Sequence, residues 1–185
     1  MFNIYVDADS FPKALLDIVL RRIIKEYDYI KEAYFISDRV ISEVRNTSER
    51  HTALLRENKK DILEKNELRK IKSNIKYEVV EKGENSADDR IVELAAPPSF
   101  AITHDVPLSF RLCEKGLKVL DDRGHIYTSL NIRERLGIRN INTTLREWGV
   151  MSEKTKSMKD RDILHFSQSF DSLIEEYKRI KNDNN

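Results

Sequence analysis

The fold is decided by the stretch Ile4-Tyr5-Val6-Asp7-Ala8-Asp9-Ser10-Phe11-Pro12. Its first three residues are β-branched or aromatic, which is typical of a buried strand, and that strand stops at acidic residues. Apolar residues then repeat at helical spacing, with Ser10 as the expected N-cap and Pro12 in the first turn, where a missing N–H costs nothing. The stretch predicts a strand, an acidic turn and a helix in direct succession.

The same alternation of strands and helices continues along the chain. Further strands are predicted over 33–37, 77–80, 99–103 and 117–120, with a short edge strand over 125–128, and helices over 86–94, 108–115 and, as two helices separated near Gly137, 131–148. This order is typical of an α/β domain with a mostly parallel central sheet flanked by helices. Such folds bind ligands where the carboxyl ends of the strands meet.

The chain has 185 residues, which suits one domain of roughly 150 residues with an elaboration. We assign residues 1–150 to the α/β domain, with a basic helical insertion at about 45–72. Residues 151–185 are expected to form a linker and a C-terminal helix packed on the same domain. The apolar stripes predicted to pack these two helical segments are Leu54, Leu55, Ile62, Leu68 and Ile71 in the insertion, and Phe166, Phe170, Leu173, Ile174 and Tyr177 in the last helix.

Hydrophobic residues make up 39% of the chain and charged residues 35%, against an average of roughly 25% charged. This composition excludes a membrane bundle, a collagen and a wholly disordered chain. The chain shows no signal peptide and no apolar run of the roughly 20 residues that span a bilayer, and the lone Cys113 has no partner for a disulfide or a zinc site. We expect a soluble, cytoplasmic protein without membrane contact.

The net charge of +1 conceals a strong local asymmetry. Residues 77–105 hold two basic and seven acidic side chains, whereas 45–72 hold nine basic and five acidic ones, and 106–152 hold eight and five. An acidic pocket flanked by basic segments suits a phosphodiester substrate, because Lys and Arg bind its backbone.

Carboxylates follow three of the predicted strands and begin one helix. They are Asp7 and Asp9, Asp105, Asp121 and Asp122, and at the start of the helix Asp88 and Asp89. The predicted topology brings all seven to one edge of the sheet, within reach of His104. Taken singly, each acidic pair is also an ordinary capping or turn sequence, so the prediction of a site depends on their meeting at that edge.

Carboxylates this close repel one another by roughly 4 kcal/mol per pair at 4 Å, so they require a cation or raised pKa values. Oxygen ligands of this kind suit Mg²⁺ or Mn²⁺, which activates water and neutralises charge on a phosphoryl group. The pattern therefore indicates a metal-dependent site.

The chain resembles the YaiI/YqxD family. The resemblance is carried by the opening stretch, by Ala87-Asp88 with Ile91, by the block from Ile102 to Leu108, and by Arg123-Gly124 with Tyr127-Thr128 and Asn131-Ile132. It covers most of the chain except the segment 45–72. Where the family usually has Cys, Asp and Pro, this chain has Ser10, Asn85 and Asp122.

The resemblance implies a Rossmann-like, PIN-like fold related to metal-dependent ribonucleases, with Mg²⁺ or Mn²⁺ as cofactor. It places Asp7, Asp9, Asp88 and Asp105 on the family's acidic positions, as metal ligands and catalytic residues. It places Arg123 and Gly124 on the family's basic turn.

The leading hypothesis is a divalent-metal-dependent nuclease acting on RNA or another single-stranded nucleic acid. Ser10 or Asp89 is expected to orient the attacking water, and Arg123, Lys13 and Asn85 to contact the substrate. One alternative is a haloacid-dehalogenase-like phosphatase, which the Asp7-Ala8-Asp9 sequence also resembles. Another is a non-catalytic nucleic-acid-binding module that binds through the segment 45–72. Assembly into a homo-oligomer is a further expectation.

Overall fold

The computed structural model describes residues 1–9, 11–83, 85–150 and 157–183. Six strands form one sheet in the order β3-β2-β1-β4-β5-β6, in which all neighbours are parallel except the β5–β6 pair. The elements in chain order are β1 (Phe2–Asp7), α1 (Lys13–Lys25), β2 (Ile30–Ser37), α2 (Ser42–Glu57), α3 (Lys65–Lys70), β3 (Ile75–Val79), α4 (Ser86–Leu94), β4 (Ser99–Ile102), α5 (Val106–Glu114), β5 (Lys118–Leu120), β6 (Ile126–Tyr127), α6 (Ile132–Glu147) and α7 (Asp160–Asp183). The predicted α/β architecture is confirmed.

Helices cover both faces of the sheet, because its central strands are apolar on both sides. One core contains α1 and α7 against Ile4, Val6 and Phe100, and the other contains α4, α5 and the start of α6 against Tyr5 and Val119. The last helix docks as expected: the predicted stripe from Phe166 to Tyr177 is buried in the first core.

The basic segment 45–72 contains most of α2, a turn and α3. These helices connect β2 to its parallel neighbour β3, and parallel strands require such a crossover. The apolar stripe expected there is wrong in detail. Leu54 and Ile62 are exposed, whereas Val44 and His51 are the buried residues of α2.

Residues 132–147 form one helix, so the prediction of two helices separated near Gly137 is wrong. A single exposed glycine lowers helix stability by only about 1 kcal/mol, and the packing of Ile132 and Leu136 against the second core holds the first turns in place. Within the described part of the chain, no helix combines the length and apolar character needed to cross a membrane.

Candidate acidic site at the switch point of the sheet

The chain winds in two directions from the centre of the sheet. From β1 it proceeds outward to β2 and β3, and it then returns to β4 on the other side of β1 and proceeds to β5. The crevice beyond the carboxyl ends of β1 and β4 is therefore the switch point, where open α/β sheets bind ligands. Asp7 is the last residue of β1, and Asp105 follows β4 by three residues.

A pocket of about 260 Å³ lies at this switch point. It is lined by Asp7, Asp9, Asp38, Gly83, Asn85, Ser86, Ala87, Asp88, His104 and Asp105. The structure thus brings together the four carboxylates expected to bind metal, and Asn85 lies at the same pocket in a left-handed backbone conformation (φ 59°). Ser10, expected to orient water, lies outside the described residues; its prediction as the N-cap of α1 is wrong, because Pro12 is the N-cap and the helix begins at Lys13.

Thr103 holds two of the acidic segments in place. Its buried hydroxyl donates to Asp7 Oδ2 at 2.7 Å and accepts the backbone N–H of Asp105 at 3.0 Å. The Asp105 carboxylate in turn accepts the N–H of Leu108 at 2.7 Å and so caps α5. One oxygen of Asp105 is therefore used for capping, as the sequence allowed, while the side chain still lines the pocket.

Asp9 is held from the end of β2. Its Oδ2 accepts the N–H of Asp38 at 2.8 Å, and Arg39 donates to its carbonyl oxygen at 2.6 Å. Its Oδ1 is buried and makes no hydrogen bond among the described residues, with Arg39 Nε 3.9 Å away. Burial raises the pKa of Asp9, and repulsion from Asp38 and Asp7 adds to the increase.

Asp88 projects into the pocket from the first turn of α4. Its pKa is raised to about 6 by burial and by repulsion from Asp7 and Asp105, partly offset by Arg111. The lining therefore carries more negative charge than its own cations balance.

The donor chemistry of the pocket fits Mg²⁺ or Mn²⁺, because carboxylate oxygens dominate and the buried Asp9 Oδ1 lacks a hydrogen-bond donor. Across the described ranges, no group of three or more His, Cys, Asp or Glu side chains is arranged to hold one ion together. The carboxylates surround the pocket without converging on a single point.

Three of the expected site residues lie elsewhere. Asp89 forms an ion pair with Arg111 at 2.6 Å outside the pocket, because adjacent helical residues point about 100° apart and only Asp88 faces inward. Lys13 is exposed and lines a separate groove together with Phe11 and Arg39. Arg123 forms an ion pair with Asp162 at 2.6 Å, beyond the lining of the acidic pocket.

The expectation of seven carboxylates in one crevice is also wrong for Asp121 and Asp122. Asp121 organises the turn after β5: it accepts the N–H groups of Arg123 and His125, the His125 ring and the Tyr127 hydroxyl. Asp122 lines a neighbouring pocket with His104. Four donors make the buried Asp121 carboxylate a structural group.

A comparison with family models matches residues 40–176 to the uncharacterised YaiI/YqxD family. The chain belongs to the YaiI/YqxD family. A UPF0178 protein of Sulfurovum sp. is 30% identical over 172 residues, which is 93% of this chain and 97% of that relative. A UPF0178 protein of Acinetobacter baumannii is 29% identical over 178 residues, or 96% of each chain. No solved structure matches.

In this member of the YaiI/YqxD family, sequence reasoning missed Asp38 and Thr103. Asp38 follows the end of β2 just as Asp105 follows β4, so the rule that found the other acids also indicates this one. Thr103 carried no such signal, because a Thr at the end of a buried strand is ordinary β sequence.

The basic segment 45–72 of this YaiI/YqxD chain was expected to flank the acidic pocket. It extends instead to the opposite edge of the sheet. Lys59, Lys70 and Lys72 line a groove with Met1 and Ile30, at the amino ends of β1 and β2. The reason is that α2 must run back along the sheet so that β3 can begin parallel to β2.

Proposed function

We propose that this chain is a divalent-metal-dependent phosphodiesterase that hydrolyses RNA or another single-stranded nucleic acid. The observation that supports the proposal best is the pocket at the switch point, which Asp7, Asp9, Asp88 and Asp105 line from separate segments, and in which burial and repulsion from Asp7 and Asp105 raise the pKa of Asp88 to about 6. Such a cluster of carboxylates is stabilised by binding a cation.

Mg²⁺ or Mn²⁺ held by Asp7, Asp9, Asp88 and Asp105 would supply an activated water and neutralise charge on the phosphoryl group. Thr103 keeps the Asp7 carboxylate and the Asp105 backbone in register, so two of the four ligands are preorganised. Asn85 presents an exposed side-chain amide at the rim, where it can donate to a substrate oxygen. Asp88, with its pKa raised to about 6, holds its proton more tightly than an ordinary aspartate does.

The phosphatase alternative is supported less well. That chemistry uses a lysine beside the nucleophilic aspartate, and no lysine is found among the described residues that line the pocket. The binding-module alternative depends on the segment 45–72, part of which lies at the edge of the sheet opposite the acids. No observation of the described residues specifically favours either alternative.

The test is hydrolysis of a labelled single-stranded RNA with Mn²⁺ by the parent protein and by Asp9→Asn and Asp105→Asn. We expect each substitution to lower the rate roughly 100-fold, the usual order for removing one electrostatic stabiliser. Asn caps helices as well as Asp does, so α5 should persist in Asp105→Asn.

The control is Asp61→Asn, which removes the same charge at an exposed position between α2 and α3. It should retain full activity. Stabilisation of the parent by Mn²⁺ in thermal melts, reduced in both site variants, reports metal binding separately from hydrolysis. Activity that survives both site substitutions would overturn the proposal.

A further inference from the structure

A second pocket, of about 790 Å³, lies between the turn that joins β5 to β6 and the beginning of α7. The side chains that matter in its lining are Arg123 and His125 from the turn, and Lys159, Arg161 and His165 from the other segment. The proposed chemistry of the acidic pocket uses none of them, and only Arg123 was expected from the sequence to contact the substrate.

This pocket is built by close contact between the turn and α7. A Cβ at Gly124 would meet the His165 ring at 2.7 Å and the backbone of Phe166 at 2.8 Å, and its φ is +87°, so a glycine is required there. The His165 ring bonds the Arg123 carbonyl at 2.6 Å, and Ser169 donates to the Gly124 carbonyl at 2.7 Å. The two walls are thus fixed relative to each other.

Both imidazoles are oriented by these contacts. His165 Nδ1 must carry its proton, because the Arg123 carbonyl can only accept. His125 Nδ1 lies 3.0 Å from Asp121 Oδ2, which likewise accepts a hydrogen bond from it. Among the described residues neither Nε2 has a hydrogen-bond partner; in the neutral ring this nitrogen is a hydrogen-bond acceptor, so it can accept from a ligand hydroxyl group but cannot donate to a phosphate oxygen.

The lining of this pocket carries an excess of positive charge. Asp162 is the one carboxylate among its described lining residues, against three cations. That carboxylate is already bonded by Arg123 Nη1 at 2.6 Å and by the N–H of Lys159 at 3.0 Å. The charges of Lys159 and Arg161 remain to attract an anion, and Arg and Lys are the groups that bind phosphate oxygens.

The basic pocket and the acidic pocket both adjoin a third pocket. A middle pocket of about 890 Å³ shares His104 with the acidic pocket, and shares Arg123, His125 and His165 with the basic pocket. A small anion would fill only one end of this path. A polymer with repeated phosphates would reach both ends.

We infer that the basic pocket binds a backbone phosphate of the same single-stranded nucleic acid whose scissile bond lies at the acidic pocket. This inference rests on the proposed function and adds to it the subsite that sets the position of the strand. Lys159 and Arg161 supply the charge that binds the phosphate, and His125 and His165 line the pocket as oriented hydrogen-bond acceptors.

The test is fluorescence anisotropy with a 12-nucleotide single-stranded RNA bearing a 5′-hydroxyl and a 3′-fluorescein, in buffer with EDTA so that no hydrolysis occurs. We expect Lys159→Gln/Arg161→Gln to raise Kd at least about tenfold, since two charge-assisted contacts are lost. The slope of log Kd against log salt should fall by about 0.7 for each phosphate contact removed.

The matched control is Arg179→Gln. It removes an exposed cation of α7 that lies about 27 Å from Arg161 along the helix axis. It should bind RNA as the parent does. Equal thermal midpoints for all variants exclude unfolding as the cause of a loss.

An unchanged Kd and salt slope in the double variant would overturn the inference, even if Mn²⁺-dependent cleavage is observed. If a 5′-phosphorylated RNA binds more tightly, and the gain depends on Lys159 and Arg161, the pocket binds the terminal phosphate of a strand. That result would overturn the inference of a backbone-phosphate subsite. Loss of binding in the double variant, with no cleavage by the parent, would support the phosphate subsite and reject the proposed hydrolysis.

Discussion

The Asp88 carboxyl has a pKa of about 6 in the folded chain, raised from 3.8 by burial and by repulsion from Asp7 and Asp105. The folded state therefore binds this proton more tightly than the unfolded state. The penalty for ionising Asp88 is absent below about pH 4 and fully present above about pH 6, so this group lowers stability as the pH rises between those values.

Asp88→Asn should remove that penalty. Without metal, we expect the variant to be more stable than the parent by about 1–2 kcal/mol at pH 8 and no more stable at pH 4, after allowance for partial exposure and for the lost charge at the start of α4. Urea unfolding at both pH values measures the difference, with Asp61→Asn as the control. An equal gain at pH 4 and pH 8 would contradict it.

The sequence predicted the acids of this pocket because Asp7 and Asp105 follow strands and thus share a known edge of the sheet. It did not separate Asp88 from Asp89, since a rotation of about 100° between them depends on where α4 begins. Asp121 illustrates a different limit. Its role in the turn follows from four donors that only the folded turn brings to it.

At the scale of elements, two glycines test how α7 and α6 are built. Gly124→Ala places a methyl group within 2.8 Å of the α7 backbone at a positive φ. We therefore expect the free energy of unfolding to fall by at least about 2 kcal/mol and α7 to be displaced.

A methyl group at Gly137 meets nothing within 4 Å, so Gly137→Ala should stabilise α6 by up to about 1 kcal/mol. Thermal and urea unfolding compare the two variants, and a Gly124→Ala protein as stable as the parent would refute the close contact.

The same two helices show why one was predicted correctly from the sequence and the other wrongly. The period of Phe166 and Phe170 in α7 has enough apolar residues to predict its burial, and the core confirms it. In α6, local sequence favoured a break at Gly137, but the packing of Ile132 and Leu136 in the second core fixes the turns before it, and the helix continues to Glu147. A single glycine costs a helix only about 1 kcal/mol, which is too little to end it.

At the scale of the whole molecule, charge is divided between the two edges of the sheet. The acidic and basic pockets that share the middle pocket lie at the carboxyl edge, while Lys59, Lys70 and Lys72 lie at the amino edge. The sequence revealed that charged segments alternate, but it could not assign them to edges. A crossover helix as long as α2 carries its residues from one edge to the other.

The separation of the edges predicts which cations bind nucleic acid. The eight residues of β2 span about 26 Å, several times the Debye length of about 8 Å at physiological ionic strength, so exposed charges at the amino edge act weakly on a strand bound at the carboxyl edge. The triple variant Lys59→Gln/Lys70→Gln/Lys72→Gln should therefore change the Kd for single-stranded RNA by less than about twofold at 0.15 M salt. Deleting the segment would remove the β2–β3 crossover, so substitution is the informative experiment. If the triple variant weakens binding more than Lys159→Gln/Arg161→Gln does, the nucleic acid binds at the amino edge, and the acids of the switch point then serve another purpose.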